Sequence, residues 1–417
     1  MPDNTAYQCP NCTGPLHFNA KAGKLTCDYC LSEFEPEEIQ KLYAGKNAEA
    51  AAAETSDKEW GDDAGRMRAY SCSTCGAELI CESQTAATSC PYCGNPTIIP
   101  GQFKGTDKPD YCIPFKHEKK EAVAALSGYY KGKLLLPGSF VSSNHINEIQ
   151  GIYVPFWLFS GTSAGHGVYE AIKESRHHHG NDEIITERHY KVVREGYLNF
   201  DKIPVDASIQ MDDALMDSIE PFNYAELKPF AMEYLPGFLA NKYDVSKKDA
   251  MPRARERANK TLAAELRQSV NGFDRVDTSS HSEQFNGSKI EYGMFPVWLL
   301  NTHWNGKNFM FAMNGQTGKM IGNLPISPVK FAAWIIGVLT ISAFIINFVM
   351  DEPFVAVTGG LIITAIVAIV LYQSMKPVAV SSSAASYRAG PGLKLTVKTE
   401  QFTHTTEHVI HHERERK

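Results

Sequence analysis

Two apolar runs near the end of the chain constrain it most. Phe331–Met350 and Phe354–Gln373 each extend for 20 residues without a charge, and only Asp351-Glu352-Pro353 separates them. A helix of that length is about 30 Å long, the thickness of a bilayer's hydrocarbon core. The competing reading is a helical hairpin buried in a large soluble core, but two uninterrupted spans with charged flanks favour insertion. A three-residue connection forces the helices antiparallel. Small residues recur at helical spacing, Ala333 and Gly337 on the first span and Gly360, Thr364 and Ala368 on the second. They are candidates for close backbone approach.

The flanks set an expected orientation. Lys330 precedes the first span, and Lys376, Arg388, Lys394 and Lys398 follow the second, whereas the tip has no Lys or Arg. Cationic flanks stay cytoplasmic, so both termini are expected in the cytoplasm, with a two-pass anchor in the inner membrane and the lipid bilayer as a first partner. Met1–Gln40 holds no apolar segment of signal-peptide type.

The first hundred residues carry a repeat. Cys9-x-x-Cys12 is followed after fourteen residues by Cys27-x-x-Cys30, and Cys72-x-x-Cys75 after fourteen by Cys90-x-x-Cys93. All four pairs of equivalent cysteines lie 63 positions apart. Each such turn places two thiolates on one edge of a tetrahedron, and its partner closes the other edge. The pattern predicts two structural zinc ions (Zn2+), each held by four cysteines. Redox use of one such turn fits less well, because no βαβ pattern surrounds it. An open catalytic zinc fits less still, since cysteine fills all four positions. Cys81 and Cys112 fall outside both frames, and His17 reads as a surface residue. Gly14, Gly76 and Gly94 allow the tight turns the sulfurs need.

Charge bears on partners. Net charge is −6, but residues 1–100 hold seven Lys/Arg against fourteen Asp/Glu, hence −7. That opposes nucleic-acid binding by the cysteine-rich region. From Lys376 onward the balance is seven against four, hence +3.

The expected fold class is α+β: two small N-terminal zinc ribbons, a duplicated β-rich α+β middle domain and a C-terminal two-helix transmembrane hairpin. Residues 1–40 form the first ribbon, 41–69 a short helix (37–53) and an acidic linker (54–65), and 70–100 the second ribbon. Residues 101–329 form the cytoplasmic α+β domain, 330–375 the hairpin and 376–417 a flexible cytoplasmic tail. The duplication rests on Tyr153-Val154-Pro155-Phe156-Trp157-Leu158-Phe159 and Met294-Phe295-Pro296-Val297-Trp298-Leu299-Leu300. Each reads as a strand followed by a hairpin, turning near Ser163-Ala164-Gly165 in the first copy and at Asn305-Gly306 in the second. Both tryptophans read as core. Further expected elements are helices at 118–131, 212–219 and 247–270, the last with Ala254, Ala258, Leu262 and Leu266 on one face, and a strand at 189–200. His177-His178-His179 reads as a solvated loop. No phosphate-binding loop or HExxH motif is present.

Paired ribbons, tandem Pro-aromatic-Trp segments and a two-pass anchor together resemble the bacterial TFIIB-type zinc-ribbon membrane proteins. The resemblance extends to Gln373. Members are often labelled primosomal or replication-restart helicases from their Cys motifs, a label that implies a motor this sequence lacks. The resemblance implies docking modules that tether flotillin-like or phage-shock-type membrane stress proteins. It places the metal ligands at Cys9, Cys12, Cys27, Cys30, Cys72, Cys75, Cys90 and Cys93. The expected function is therefore a non-enzymatic membrane anchor or adaptor for cytosolic proteins. The alternatives are a DNA-associated, transcription-related ribbon protein and a membrane-bound enzyme whose site has no recognisable motif.

Overall fold

The computed structural model describes residues 9–12, 16–27, 29–39, 60, 67–72, 74–82, 90–93, 98–101, 107–143, 148–179 and 182–411. Most of the expected 37–53 helix and of the 54–65 linker lies outside them. The chain opens with β1 (Leu16–Asn19), β2 (Lys24–Cys27), β3 (Glu33–Phe34), β4 (Met67–Cys72), β5 (Glu78–Glu82), β6 (Ile98–Gly101) and β7 (Tyr111–Cys112). Helices α1 (Lys119–Tyr129) and α2 (Gly138–Ser143) lead to β8 (Gln150–His179), β9 (Asp182–Asp206) and α3 (Asp213–Ile219). Then come β10 (Lys228–Pro229), β11 (Leu239–Asn241), α4 (Lys247–Gln268), β12 (Arg275–Trp304), β13 (Lys307–Asn314) and β14 (Met320–Gly322). Helices α5 (Pro328–Met350) and α6 (Pro353–Met375) precede the last strand, β15 (Arg388–His411).

The chain divides into two units. Unit 1 comprises Met1–Phe156, Asp206–Asp244 and Tyr292–Val380, and unit 2 comprises Trp157–Val205, Val245–Glu291 and Ser381–Lys417.

In unit 1, β1, β2 and β3 form a small antiparallel sheet, and a larger sheet runs β10-β7-β12-β8-β11-β5-β4-β6. The second cysteine set is therefore not a separate module at 70–100. Its β5 pairs with β4 on one side and with β11 on the other, Ala240 opposite Ile80. Leu79, Ile80 and Cys81 are all buried. Three consecutive buried residues need cover on both faces, which an isolated ribbon cannot supply. The first cysteine set also rests on the unit. Phe18 meets the edge of Tyr234 at 5.4 Å between ring centroids, and its N–H donates to the Pro236 carbonyl at 3.2 Å.

The two Pro-aromatic-Trp segments lie on the neighbouring strands β8 and β12. Phe156 of the first stacks on Phe295 of the second at 4.9 Å. Both tryptophans are buried with their indole N–H satisfied, Trp298 by the His117 carbonyl at 2.9 Å and Trp157, in unit 2, by that of Val245 at 2.8 Å. The second segment turns where expected: Asn305 and Gly306 have φ of 48° and 71°, and Trp304 pairs with Lys307. The first does not turn, because β8 continues through Ser163-Ala164-Gly165 to His179. A Cβ on Gly161 would lie 2.3 Å from the Asn286 oxygen, and one on Gly165 would lie 2.4 Å from the Ser282 oxygen. These glycines mark close approach by β12, not a bend. Each segment's strand still pairs with the strand that follows it, β8 with β9 and β12 with β13, but the first return comes beyond His179 rather than near Gly165.

Unit 2 is built from long strands. Its sheet order is β12-β8-β9-β15, covered by α4, whose Ala254, Ala258, Leu262 and Leu266 are fully buried. The tail is not the expected flexible segment. Arg388 pairs with Phe200 and His411 with Asp182, so β15 follows β9 along nearly its whole length. The segment before it is fixed by buried Arg257 on α4, which donates to the Pro204 carbonyl at 2.7 Å and to the Ser383 carbonyl at 3.2 Å. Backbone pairing with a distant strand needs no apolar pattern of its own, so a cationic, His-rich sequence can satisfy it. His177–His179 end β8 as exposed strand residues rather than a loop.

Helices α5 and α6 form the expected antiparallel hairpin, reversing at Asp351, whose φ is 53°. Both are long and apolar enough to cross a membrane, with mean hydropathy of 2.2 and 2.7. Their contact differs from expectation on one side. Ala356, Gly360 and Thr364 of α6 are buried, and a Cβ on Gly360 would stand 3.3 Å from the Ala343 nitrogen and Cβ. Gly337 has open space around it, and Ala333 is exposed. On α5 the face that meets α6 therefore includes Ser342 and Ala343.

Candidate metal centres

Each predicted cysteine set converges. The sulfurs of Cys9, Cys12, Cys27 and Cys30 lie within 4.8 Å of one another, as do those of Cys72, Cys75, Cys90 and Cys93. Within each set the first cysteine approaches the fourth and the second the third. Cys9–Cys30 and Cys12–Cys27 are both 3.4 Å apart, and Cys72–Cys93 and Cys75–Cys90 are both 3.6 Å apart. A disulfide would need about 2.05 Å, and none of the ten cysteines forms one. Four sulfurs about 2.3 Å from a central zinc would stand about 3.8 Å apart along each tetrahedral edge. The donor sets fit a four-coordinate, thiolate-loving metal with all positions filled by protein.

Matching backbone turns build the two sites. Cys27 N–H donates to the Ser32 carbonyl at 3.0 Å, and Leu31 N–H to the Cys27 carbonyl at 2.9 Å. In the second site Cys72 N–H donates to the Ala77 carbonyl and Gly76 N–H to the Cys72 carbonyl, both at 2.9 Å. The turn requires a left-handed residue after its second cysteine. Gly76 meets that at φ 74°, whereas Leu31 does so at φ 58° against a steric cost of about 1–2 kcal/mol. Gly14 and Gly94 lie outside the described residues.

The local fields favour thiolate at part of each site. The Ser32 hydroxyl and N–H bring Cys30 down to about 6. At Cys72 burial pushes upward, but the N–H groups of Cys75 and Thr74 outweigh it and bring the thiol to about 7. Burial raises Cys75 to about 11 and pushes Cys90 higher. A buried set of this kind is stable as thiolates only with a cation at its centre.

The remaining candidates stay apart. Cys81 and Cys112 are buried on β5 and β7, away from both clusters, and burial pushes the Cys112 thiol to about 12. His17 pairs with Thr26 in the small sheet and joins no cluster. Asp201 accepts from the Ser160 hydroxyl at 3.0 Å, His303 contacts Asn308 at 2.8 Å, and His166 is exposed. Spacing could not show how firmly the second site is anchored. Gln210 Nε2 donates to the Cys75 carbonyl at 2.9 Å and Asn301 Nδ2 to the Tyr92 carbonyl. Neither Gln210 nor Asn301 carries a local signal for that role.

Fold and site together define an α+β protein with two four-cysteine clusters near its N-terminus and two helices able to span a membrane near its C-terminus. No protein-family model and no solved structure matches it. The "Uncharacterized protein YdjG" of Bacillus subtilis (strain 168) is 36% identical to it over 337 residues, which are 80% of this chain and 94% of that protein. The chain belongs to the family of that protein.

Proposed function

We propose that the chain is a non-enzymatic, zinc-binding anchor in the inner membrane, with both termini cytoplasmic, which recruits cytosolic proteins to the bilayer. The observation that carries the reading is on the first metal turn. Tyr29 and Leu31, on either side of Cys30, are each 77% exposed. A metal turn that holds an aromatic and an aliphatic side chain in solvent offers a rigid, pre-ordered contact for a partner. Unit 1 carries this turn and also the root of the apolar hairpin, so a partner held there is held at the membrane. Flotillin-like or phage-shock-type membrane stress proteins are the partners that the family resemblance suggests.

The test is affinity purification of the full chain in mild detergent, comparing the natural sequence with the double change Tyr29→Ser and Leu31→Asn. Asn tolerates the left-handed conformation, so zinc content should stay at two per chain while a reproducible soluble partner is lost. Recovery of no soluble partner by the natural chain, with or without envelope stress, would sink the proposal.

A further inference from the structure

The second apolar helix ends at a built cavity. α6 stops at Met375, and Leu324 N–H donates to the Met375 carbonyl at 2.8 Å. Lys133 Nζ donates to the Ser374 carbonyl at 2.6 Å, and Lys330 Nζ, at the start of α5, to the Leu136 carbonyl at 2.7 Å. Beyond the helix, Val378 N–H reaches Asn323 Oδ1 at 3.4 Å, and the Ser218 hydroxyl bonds both the N–H and the carbonyl of Ala379 at 3.1 and 3.0 Å. The segment 376–380 is thus pinned within unit 1. Between it, α3 and β13 lies a cavity of about 300 Å3.

Its lining is two-faced. Lys307 and Lys376 supply ammonium groups, while Leu215, Phe309 and Val378 supply apolar surface. Among the described residues neither ammonium is in an ion pair. The carboxylate of the lining, Asp212, caps α3 by accepting from Leu215 N–H at 2.8 Å. Burial and then the Lys307 charge hold the Lys376 ammonium below its usual range. Two like charges sharing a cavity leave room for an anion between them. Depth narrows the choice of anion. α6 has 23 residues, about 34 Å of helix. Lys376, the next residue, therefore falls at headgroup level if the helix crosses a bilayer.

We propose that this cavity binds the phosphate of an anionic phospholipid headgroup, with Lys307 and Lys376 on the phosphate oxygens and Leu215, Phe309 and Val378 against the glycerol. The site rests on the membrane-anchor reading above. Phosphatidylglycerol suits it, because its headgroup adds no cation. Phosphatidylcholine brings a quaternary ammonium toward two lysines and is disfavoured.

The experiment is native mass spectrometry of the full chain released from detergent micelles, titrated with phosphatidylglycerol or phosphatidylcholine, with and without excess inorganic phosphate. Phosphatidylglycerol should bind at least fivefold more tightly than phosphatidylcholine, and phosphate should not displace it. A lysine near a lipid surface is worth about fivefold. Lys307→Gln with Lys376→Gln should therefore weaken phosphatidylglycerol binding about 25-fold, while Lys119→Gln with Lys120→Gln leaves it unchanged. Equal binding of the two lipids by the natural chain overturns the proposal without needing any variant. Displacement by inorganic phosphate overturns the lipid assignment. Alkaline carbonate extraction is read separately. Release of the chain from membranes would overturn the anchor reading and the site with it, whereas a retained chain without lipid preference overturns the site alone.

Discussion

Replacing Cys9 and Cys12 by serine removes two of the four sulfurs of the first cluster. The second cluster keeps all of its ligands. A structural zinc of this type contributes about 10–16 kcal/mol to its own fold. Among the described residues the strands that carry the first cluster are the short β1, β2 and β3, so that region should unfold when the metal is lost. What reaches the rest of unit 1 is set by the contacts across the seam. The Phe18–Tyr234 edge contact at 5.4 Å is worth about 0.5–1.5 kcal/mol beyond area. The Phe18 N–H bond to Pro236 at 3.2 Å is worth about 1 kcal/mol. Glu37–Lys228 at 3.2 Å is half exposed and adds little. The total is about 1.5–2.5 kcal/mol, or about 3–10 °C at the 2–4 °C per kcal/mol usual for a body of this size. Metal analysis should give one zinc per chain, and a thermal scan in detergent should show the remainder melting earlier by that amount. Cys72→Ser with Cys75→Ser should also remove one zinc but destabilise unit 1 far more, because β4 and β5 belong to its main sheet. Cys81→Ser and Cys112→Ala should leave two. Loss of both ions from the Cys9/Cys12 change would refute two separate centres, and an unshifted melt would refute the docking of Phe18.

Gly360→Leu should drive the apolar helices apart, since even a Cβ there lies 3.3 Å from Ala343; Gly337→Leu should be neutral, and thermal stability in detergent separates the two. Burial pushes the Glu226 carboxyl upward, but bonds from Lys116 and Gln316 outweigh it and hold it below its ordinary value. Its stabilisation is therefore complete above the unfolded carboxyl's titration and is lost as pH falls through the lower folded value. Glu226→Gln should cost about 0.5–1 kcal/mol at neutral pH and flatten the acid limb of a stability–pH curve, whereas an unaltered limb would contradict this. A cysteine at Glu352 should react with an impermeant thiol reagent on intact spheroplasts, and one at Ser382 only after lysis, with native thiols subtracted. The reverse pattern would put the thiol clusters in an oxidising compartment, where disulfides form, and would end the recruitment model.

Much of the candidate site was legible because its determinants are local. Four thiols at fixed spacing can close on one point in few ways, and two uncharged 20-residue runs give two helices long and apolar enough to cross a membrane. Asn305-Gly306 and the buried stripe of α4 are also short-range signals, and they hold. What could not be read is decided by distant partners. Gly390-Pro391-Gly392 reads as an interruption, yet it sits in β15, with Gly390 and Gly392 at φ of 80° and 95° and a register shift between Ala389 and Lys394. The break is absorbed as a bulge. Gly165 reads as a turn until Ser282 is placed beside it. Cys72 and Cys75 announce a ligand set, but nothing near them announces that β5 will pair with β11.

The pairing of β9 with β15 has a consequence for synthesis. Phe200 and Arg388 are partners, yet the whole apolar hairpin is translated between them. At about 5–20 residues per second, the edge of β9 waits roughly 10–40 s for its neighbour. During that interval its open hydrogen-bonding groups are available to any extended peptide, including the same edge on an adjacent nascent chain. The ribosome therefore delivers the closing strand only after the hairpin has emerged. A product that stops short of Arg388 keeps both thiol clusters and both apolar helices but leaves that edge uncovered, a mark by which chaperones or proteases could tell unfinished chains from finished ones.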